Sequence, residues 1–220
     1  MKVLYGILLV LFLVGCSYQT PVNNNDNNNI DDNNVVDNDM DDNNTVDDNV
    51  NEIKVTIIRN DLVSPWGIDE LPDGSLLITQ RKGQLLRLDG EQLIEIEADF
   101  SMVQVAGQGG LLDVLVDRDF EDTGYVLFTI AQNTGNTALL RARLTEDNQL
   151  EDLEIIYRTL PEFASDNHFG SRVVMDTEGN LFMSTGDRQV TSNRYRAQQL
   201  DNGHGKVLHM TKDGEPVQGS

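Results

Sequence analysis

The chain has 220 residues and a formal net charge of −21 at pH 7, from 37 acidic residues against 16 lysines and arginines. Such an acidic chain repels phosphate groups, so its composition argues against nucleic-acid binding. Cys16 is the single cysteine, so it has no disulfide partner within the chain and the folded part must rest on its apolar core.

The N-terminal segment has the pattern of an export signal. A lysine precedes an apolar stretch, Val3 to Val14, which is too short to be a secure membrane span, and Gly15 stands directly before Cys16. Residues 1–16 therefore resemble a bacterial lipoprotein signal that ends at a lipidated Cys16. An ordinary secretory signal is the alternative, and both predict export. We expect an exported lipoprotein held to a membrane by its lipid; Ser17 after the cysteine favours the outer membrane or cell surface over a periplasm-facing inner-membrane site.

Residues 17–52 are predicted to form a disordered Asn/Asp-rich linker. Between Pro21 and Glu52 there are ten acidic residues, no Lys or Arg, and long runs of Asn. Because its few apolar residues are scattered, this segment cannot bury enough surface to offset the entropy lost on ordering. Residues 53–220 remain as one globular domain of roughly 170 residues, and the acidity of the linker says little about the partners of that domain.

The domain is predicted to be all-β. No window has a convincing helical period, and short strand-like runs, of which the first alternates at period two, are separated by turns. These runs predict strands at Ile53–Ile58, Leu76–Thr79, Gln84–Leu88 and Tyr125–Ile130.

A repeated unit of turn and strand narrows the prediction to a β-propeller. The turn at Pro72–Gly74 resembles the one at Asp176–Gly179, and Gly74 and Gly179 are 105 positions apart. That distance is about two blades of roughly 40 to 50 residues each, so the domain holds about three to four blades. Since a propeller closes by pairing its last blade with its first, we expect the chain to be truncated at its C-terminus.

His168 is the strongest candidate for chemistry. It precedes an apolar stretch that ends at Met175, and the next strand-like run, Leu181–Thr185, leads into Gly186 and Asp187. A histidine before one strand and a carboxylate after the next can meet at one rim of a hairpin, where the carboxylate fixes the imidazole tautomer and makes it a better base. A structural histidine and an Asp187 that only caps a turn are the alternatives.

Several motifs stand in the order found in the pyrroloquinoline quinone (PQQ)-dependent aldose sugar dehydrogenases, also called the glucose and sorbosone dehydrogenase family. The resemblance covers essentially all of residues 53–220. The motifs are Ser64–Ile68, the turn at Pro72–Gly74, Gly107–Val114, His168–Arg172, Gly186-Asp187, Ala197–Leu200 and Gly205–Leu208.

The resemblance implies a six-bladed propeller with PQQ over its central channel, and it implies a role for four residues. His168 is then the general base that takes the hydroxyl proton at the anomeric carbon of an aldose while hydride passes to the quinone, which yields the lactone. Asp187 is hydrogen-bonded to that histidine, Gln108 contacts sugar and cofactor, and Asn167 contacts the sugar.

The same resemblance places most cofactor ligands, including those for calcium, beyond Ser220. We therefore expect no metal ligand within the chain and no turnover from these 220 residues alone. The electron acceptor is not identified.

Two other classes of protein remain open, a calcium-dependent propeller lactonase and a non-catalytic surface propeller that binds a ligand. Gln108 could belong to a tight turn, Trp66 is expected to pack in the core, and Arg172 is expected to form a structural ion pair.

Overall fold

A computed structural model of the chain describes residues 54–218. The predicted signal with Cys16 and the linker at residues 17–52 lie outside the described residues, so both stay predictions. Helical structure within residues 54–218 is confined to one short α-helix, α1 (Phe120–Thr123), and a 3₁₀ helix (Thr191–Gln198). No helix in this range is long and apolar enough to cross a membrane. The prediction of an all-β fold is confirmed.

Eleven strands form three antiparallel sheets that follow one another along the chain. The first sheet is a meander of β1 to β4, the second is a meander of β5 to β8, and the third has β10 between β9 and β11. The strands are β1 (Pro65–Glu70), β2 (Leu76–Gln80), β3 (Gln84–Asp89), β4 (Gln92–Ile96), β5 (Leu111–Val116), β6 (Tyr125–Ala131), β7 (Thr137–Leu144), β8 (Leu150–Arg158), β9 (Gly170–Met175), β10 (Leu181–Thr185) and β11 (Val207–Met210).

Three of the four predicted strands are confirmed as β2, β3 and β6. The strand predicted at Ile53–Ile58 is wrong over its described part, Lys54–Ile58, which forms no strand. Val55 and Ile57 are 80% and 78% exposed. Alternation makes a strand only where a neighbouring edge supplies hydrogen-bond partners, and no strand of the three described sheets pairs with this segment.

The apolar core lies between consecutive sheets. One buried cluster joins the first two sheets and includes Leu77 and Phe128, and a second joins the second and third sheets and includes Leu139 and Met183. Strand β6 contributes to both clusters, because Phe128 faces one neighbour and Leu127 the other. Burial on both faces explains the continuous apolar run that predicted this strand.

The first strands of the three sheets lie side by side. Strand β5 packs against β1 and β2, and β9 packs against β5 and β6. The pairing register shifts near the start of β1, between Pro65 and Ile68, and near the start of β5, between Leu111 and Val114. Such irregularities bend a strand locally and are common beside functional sites. They mark the rim where the predicted site residues are found.

Candidate active site

A pocket of about 420 Å³ opens beside His168. Its wall combines two aromatic rings, an arginine and a histidine with two glycines. The lining residues are Trp66, Arg81, Gly107, Gln108, Leu112, His168, Phe169 and Gly170.

The sheet topology explains why residues so far apart in sequence meet at this pocket. Gln108 and His168 stand just before β5 and β9, the first strands of their sheets. Arg81 and Asp187 stand just after β2 and β10, the second strands of theirs. In an antiparallel pair the start of one strand and the end of the next share one edge of the sheet, so all four residues emerge at the same rim.

His168 and Asp187 form the pair predicted from the sequence. The distance from His168 Nδ1 to Asp187 Oδ1 is 2.7 Å, and the two side chains are 44% and 24% exposed. The backbone N–H of Gln189 and the His168 side chain hold the pKa of Asp187 below its usual value, so Asp187 is anionic at neutral pH. A carboxylate accepts the Nδ1 proton, which leaves Nε2 as the basic nitrogen. Their meeting is confirmed, whereas their catalytic role stays a prediction.

Gln108 joins its own loop to the loop that carries His168. Its side-chain oxygen accepts the backbone N–H of His168 at 2.8 Å, and the backbone N–H of Gln108 donates to the carbonyl of Asp166 at 2.7 Å. Gly107 has a positive φ of 52°, and a Cβ there would lie 2.5 Å from the Asp166 carbonyl oxygen. Gln108 thus follows a tight turn and also lines the pocket, and its predicted contact with sugar and cofactor stays a prediction.

Like Asp187, which reaches the pocket only through its bond to His168, Asn167 does not lie in the pocket wall. Its backbone N–H donates to Ser165 Oγ at 3.3 Å, and Asn167 does not line the pocket. Its predicted contact with a sugar stays a prediction.

Glycine is required where the two site loops touch. A Cβ on Gly186 would lie 1.8 Å from the carbonyl oxygen of His168, closer than any real contact. Gly170 has a φ of 74° and lies against the backbone of Thr185. These two glycines allow the ends of β9 and β10 to approach closely enough for the imidazole and the carboxylate to meet.

Trp66 is not a core residue, so that expectation is wrong. It is 39% exposed and lines the pocket, because it stands at the very start of β1 where the strand enters the rim. The guanidinium of Arg172 lies 5.8 Å from its ring centre and also pairs with the buried carboxylate of Asp113. The ion pair expected for Arg172 is confirmed.

Two arginines at the site were missed from the sequence. Arg81 lines the pocket and donates to the carbonyl of Gly109 at 3.1 Å. Arg81 directly follows a predicted strand, so it stands at the same rim as the residues that precede the other strands. This position could have identified Arg81 as a site residue. Arg188 is buried behind His168, and a charged residue next to Asp187 gives no sign of burial in the sequence.

No group of three or more His, Cys, Asp or Glu side chains within residues 54–218 is arranged to hold a metal ion. A larger cavity of about 630 Å³ includes Arg87 and Arg143, but each of these pairs with a carboxylate and the cavity contains no histidine. The chemistry of the described residues is concentrated at the smaller pocket.

An all-β fold with an imidazole and carboxylate pair at such a rim agrees with the family suggested by the motifs. The family model described as Glucose / Sorbosone dehydrogenase matches residues 62–220, well over half of the chain. The chain belongs to this family of sugar dehydrogenases, so the resemblance seen in the sequence is confirmed.

Among its relatives, aldose sugar dehydrogenase YliI of Escherichia coli (strain K12) is 32% identical over 170 residues, which cover 74% of this chain and 45% of that protein. The crystal structure of the soluble aldose sugar dehydrogenase from Escherichia coli in the apo-form is 31% identical, with a TM-score of 0.67 and coverage of 75% and 49%. The PQQ-bound form of aldose sugar dehydrogenase from Streptomyces coelicolor is 26% identical, with a TM-score of 0.68 and coverage of 76% and 50%. The chain thus spans about half the length of these relatives.

Proposed function

We propose that the protein is a PQQ-dependent sugar dehydrogenase that oxidises the anomeric carbon of aldoses to the lactone, with His168 as general base. The observation that carries this proposal is the His168 imidazole, held by Asp187 at 2.7 Å on the wall of a 420 Å³ pocket. Membership of the glucose and sorbosone dehydrogenase family supports it, as does the PQQ named for the Streptomyces coelicolor relative.

In this proposal the residues of this chain carry out the proton transfer. His168 Nε2 accepts the proton of the hydroxyl group at the anomeric carbon, and the Asp187 carboxylate stabilises the imidazolium that results. Loss of that proton, together with a hydride from the same carbon, makes the carbonyl of the lactone. When bound, PQQ supplies the acceptor for the hydride.

The pocket wall suits part of an aromatic, anionic cofactor. The partly exposed Trp66 ring offers apolar surface beside the buried Phe169 and Leu112 side chains, and the Arg81 guanidinium offers a positive charge to a carboxylate. PQQ has three carboxylates, so one arginine is too few for tight binding. We propose that further cationic ligands, and any calcium ligands, come from the region of the relatives that this chain does not span.

The three sheets fit the same proposal as consecutive blades. Two are four-stranded meanders, the third adds β9 to β11, and their first strands lie side by side as the inner strands of a propeller do. We propose that they are the first blades of a six-bladed propeller whose channel mouth is the rim that carries His168.

Dye reduction tests the proposed function. The complete product of the gene, incubated with PQQ and calcium, should reduce an artificial dye when aldoses are added, and the sample without PQQ should not. A folded protein that reduces no dye with any mono- or disaccharide would contradict the proposal and favour a binding propeller. Hydrolysis of sugar lactones without PQQ would favour a lactonase.

A further inference from the structure

Arg188 is an unusual residue for its position. It follows Asp187 directly, and its side chain is fully buried although it carries a charge. Burial lowers its pKa to about 10, against the opposing effect of Asp166. Its Nε and Nη1 atoms have no hydrogen-bond partner among the described residues. A buried, incompletely paired charge costs stability, so stability alone does not explain an arginine here.

The contacts of Arg188 all converge on the loop that carries His168. The guanidinium donates to the carbonyl of Ser165, and its central carbon lies 3.4 Å from the centre of the Phe169 ring. The backbone N–H of Arg188 donates to the carbonyl of His168 at 3.2 Å. One residue thus contacts both ends and the middle of the segment from Ser165 to Phe169.

The backbone at this contact is strained on both sides. The φ angles of His168 and Arg188 are 52° and 64°, in the left-handed region that side chains other than glycine rarely adopt. Gln189, with a φ of 59°, completes the turn by donating its N–H to Asp187 Oδ1 at 2.9 Å. Such conformations persist only where surrounding contacts hold them. The buried guanidinium adds a side-chain contact to the backbone bonds that tie this turn to the histidine loop.

We propose that Arg188 is a positioning residue for His168. Its guanidinium holds the segment from Ser165 to Phe169 so that the imidazole stays on the Asp187 carboxylate and faces the pocket. This role rests on the proposed function for its effect on turnover. The alignment of the His168 and Asp187 side chains can be measured without turnover.

The test compares Arg188→Met and Arg188→Lys with the matched control Arg141→Met in the complete gene product. Arg141 also lies over an aromatic ring, that of Tyr125 at 4.8 Å, and also bonds to a backbone carbonyl, that of Lys212. Its other bonds go to Glu154 and Asp213, away from the segment from Ser165 to Phe169. Isotope-labelled histidine reports the hydrogen-bonded Nδ1 proton of His168 by nuclear magnetic resonance, with His168→Gln to assign the signal. Steady-state kinetics then separate kcat from KM.

We expect Arg188→Met to lose the hydrogen-bonded imidazole signal and to lower kcat by roughly ten- to a hundredfold, because small misplacements of a catalytic group have costs of this size. KM for the sugar should change by less than about threefold, since the sugar contacts themselves are retained. Arg188→Lys keeps the charge without the planar fork and should show the same signal loss and a smaller fall in kcat, so it carries the test if the Met variant does not fold. Arg141→Met should keep both the hydrogen-bonded imidazole signal and the wild-type kcat.

A lower melting temperature with an intact imidazole signal and unchanged kcat would overturn the proposal. If the wild-type protein oxidises no sugar, the proposed function fails, and the imidazole signal still decides the role of Arg188 alone.

Discussion

Asp187 serves two donors at once, and this explains why its carboxylate is fixed. Its Oδ1 atom accepts the Gln189 backbone N–H at 2.9 Å and lies 2.7 Å from His168 Nδ1. The backbone bond alone would make Asp187 a turn residue, which was the alternative considered for it. Because one oxygen makes both contacts, the turn residue is also the partner of the imidazole, and the two interpretations do not compete.

The lowered pKa of Asp187 makes its contribution to stability dependent on pH. A depressed pKa means that the ionised carboxylate stabilises the fold above the unfolded value of 3.8, and that this contribution is lost as pH falls through the lower folded value. We expect Asp187→Asn to lower the free energy of unfolding by about 1 kcal/mol at pH 7, because the carboxylate is partly exposed. The difference should shrink at pH 3. Urea unfolding at both pH values measures it, and an equal difference at both would contradict this account.

At the scale of elements, one buried carboxylate joins the second sheet to the third. Asp113 in β5 is 2% exposed; its Oδ2 accepts the Val173 backbone N–H of β9 at 2.8 Å, and its Oδ1 pairs with the Arg172 guanidinium. Burial raises the pKa of Asp113 against these bonds. The first strands therefore meet through a polar contact as well as through apolar packing.

Removal of this contact should be costly. We expect Asp113→Ala to lower the free energy of unfolding by about 2 kcal/mol, because a buried backbone N–H and an arginine lose their acceptor. The control Asp152→Asn removes the charge of the exposed pair with Arg143, at a φ of 54° that asparagine tolerates, and should cost less than about 1 kcal/mol. Chemical unfolding of both variants measures the difference, and equal costs would show that Asp113 is not a structural link.

The sequence predicted strands well where burial follows a simple period. Strands β2, β3 and β6 were found because their apolar residues alternate or run continuously between turns. Alternation predicted a strand at Lys54–Ile58 that does not form. The pattern shows which residues could be buried, but it does not show whether a neighbouring strand is there to pair with them. The 3₁₀ helix at Thr191–Gln198 has no apolar period, so nothing in the local pattern could have predicted it.

The predictable part of the site is the part set by strand order. His168, Asp187 and Gln108 flank strands whose ends share a rim, so their meeting follows from an antiparallel topology. Arg188 depends on how its loop folds back over that rim, and Trp66 depends on where β1 enters the rim. Local periodicity records neither. The burial of Arg188 was not predicted because arginine is usually exposed. Trp66 was wrongly predicted to pack in the core because it is aromatic.

At the scale of the whole molecule, the signal and linker stay predictions that can be tested without any assay of activity. We expect Cys16→Ser to block lipidation and to release the protein from the membrane fraction, because the linker is acidic and has no apolar stretch that could anchor it. Membrane fractionation and labelling with a fatty-acid analogue measure this outcome. Unchanged membrane association of a processed Cys16→Ser protein would contradict the lipoprotein assignment.

The account depends most directly on His168 as the base, and one comparison tests it. The turnover number and melting temperature of wild type and His168→Gln are measured on the complete gene product with PQQ bound, and cofactor occupancy is checked by absorbance. We expect the variant to keep its fold and cofactor while its turnover number falls by roughly two to four orders of magnitude, the usual contribution of a positioned general base. A destabilised His168→Gln protein with full turnover per folded molecule would contradict the account.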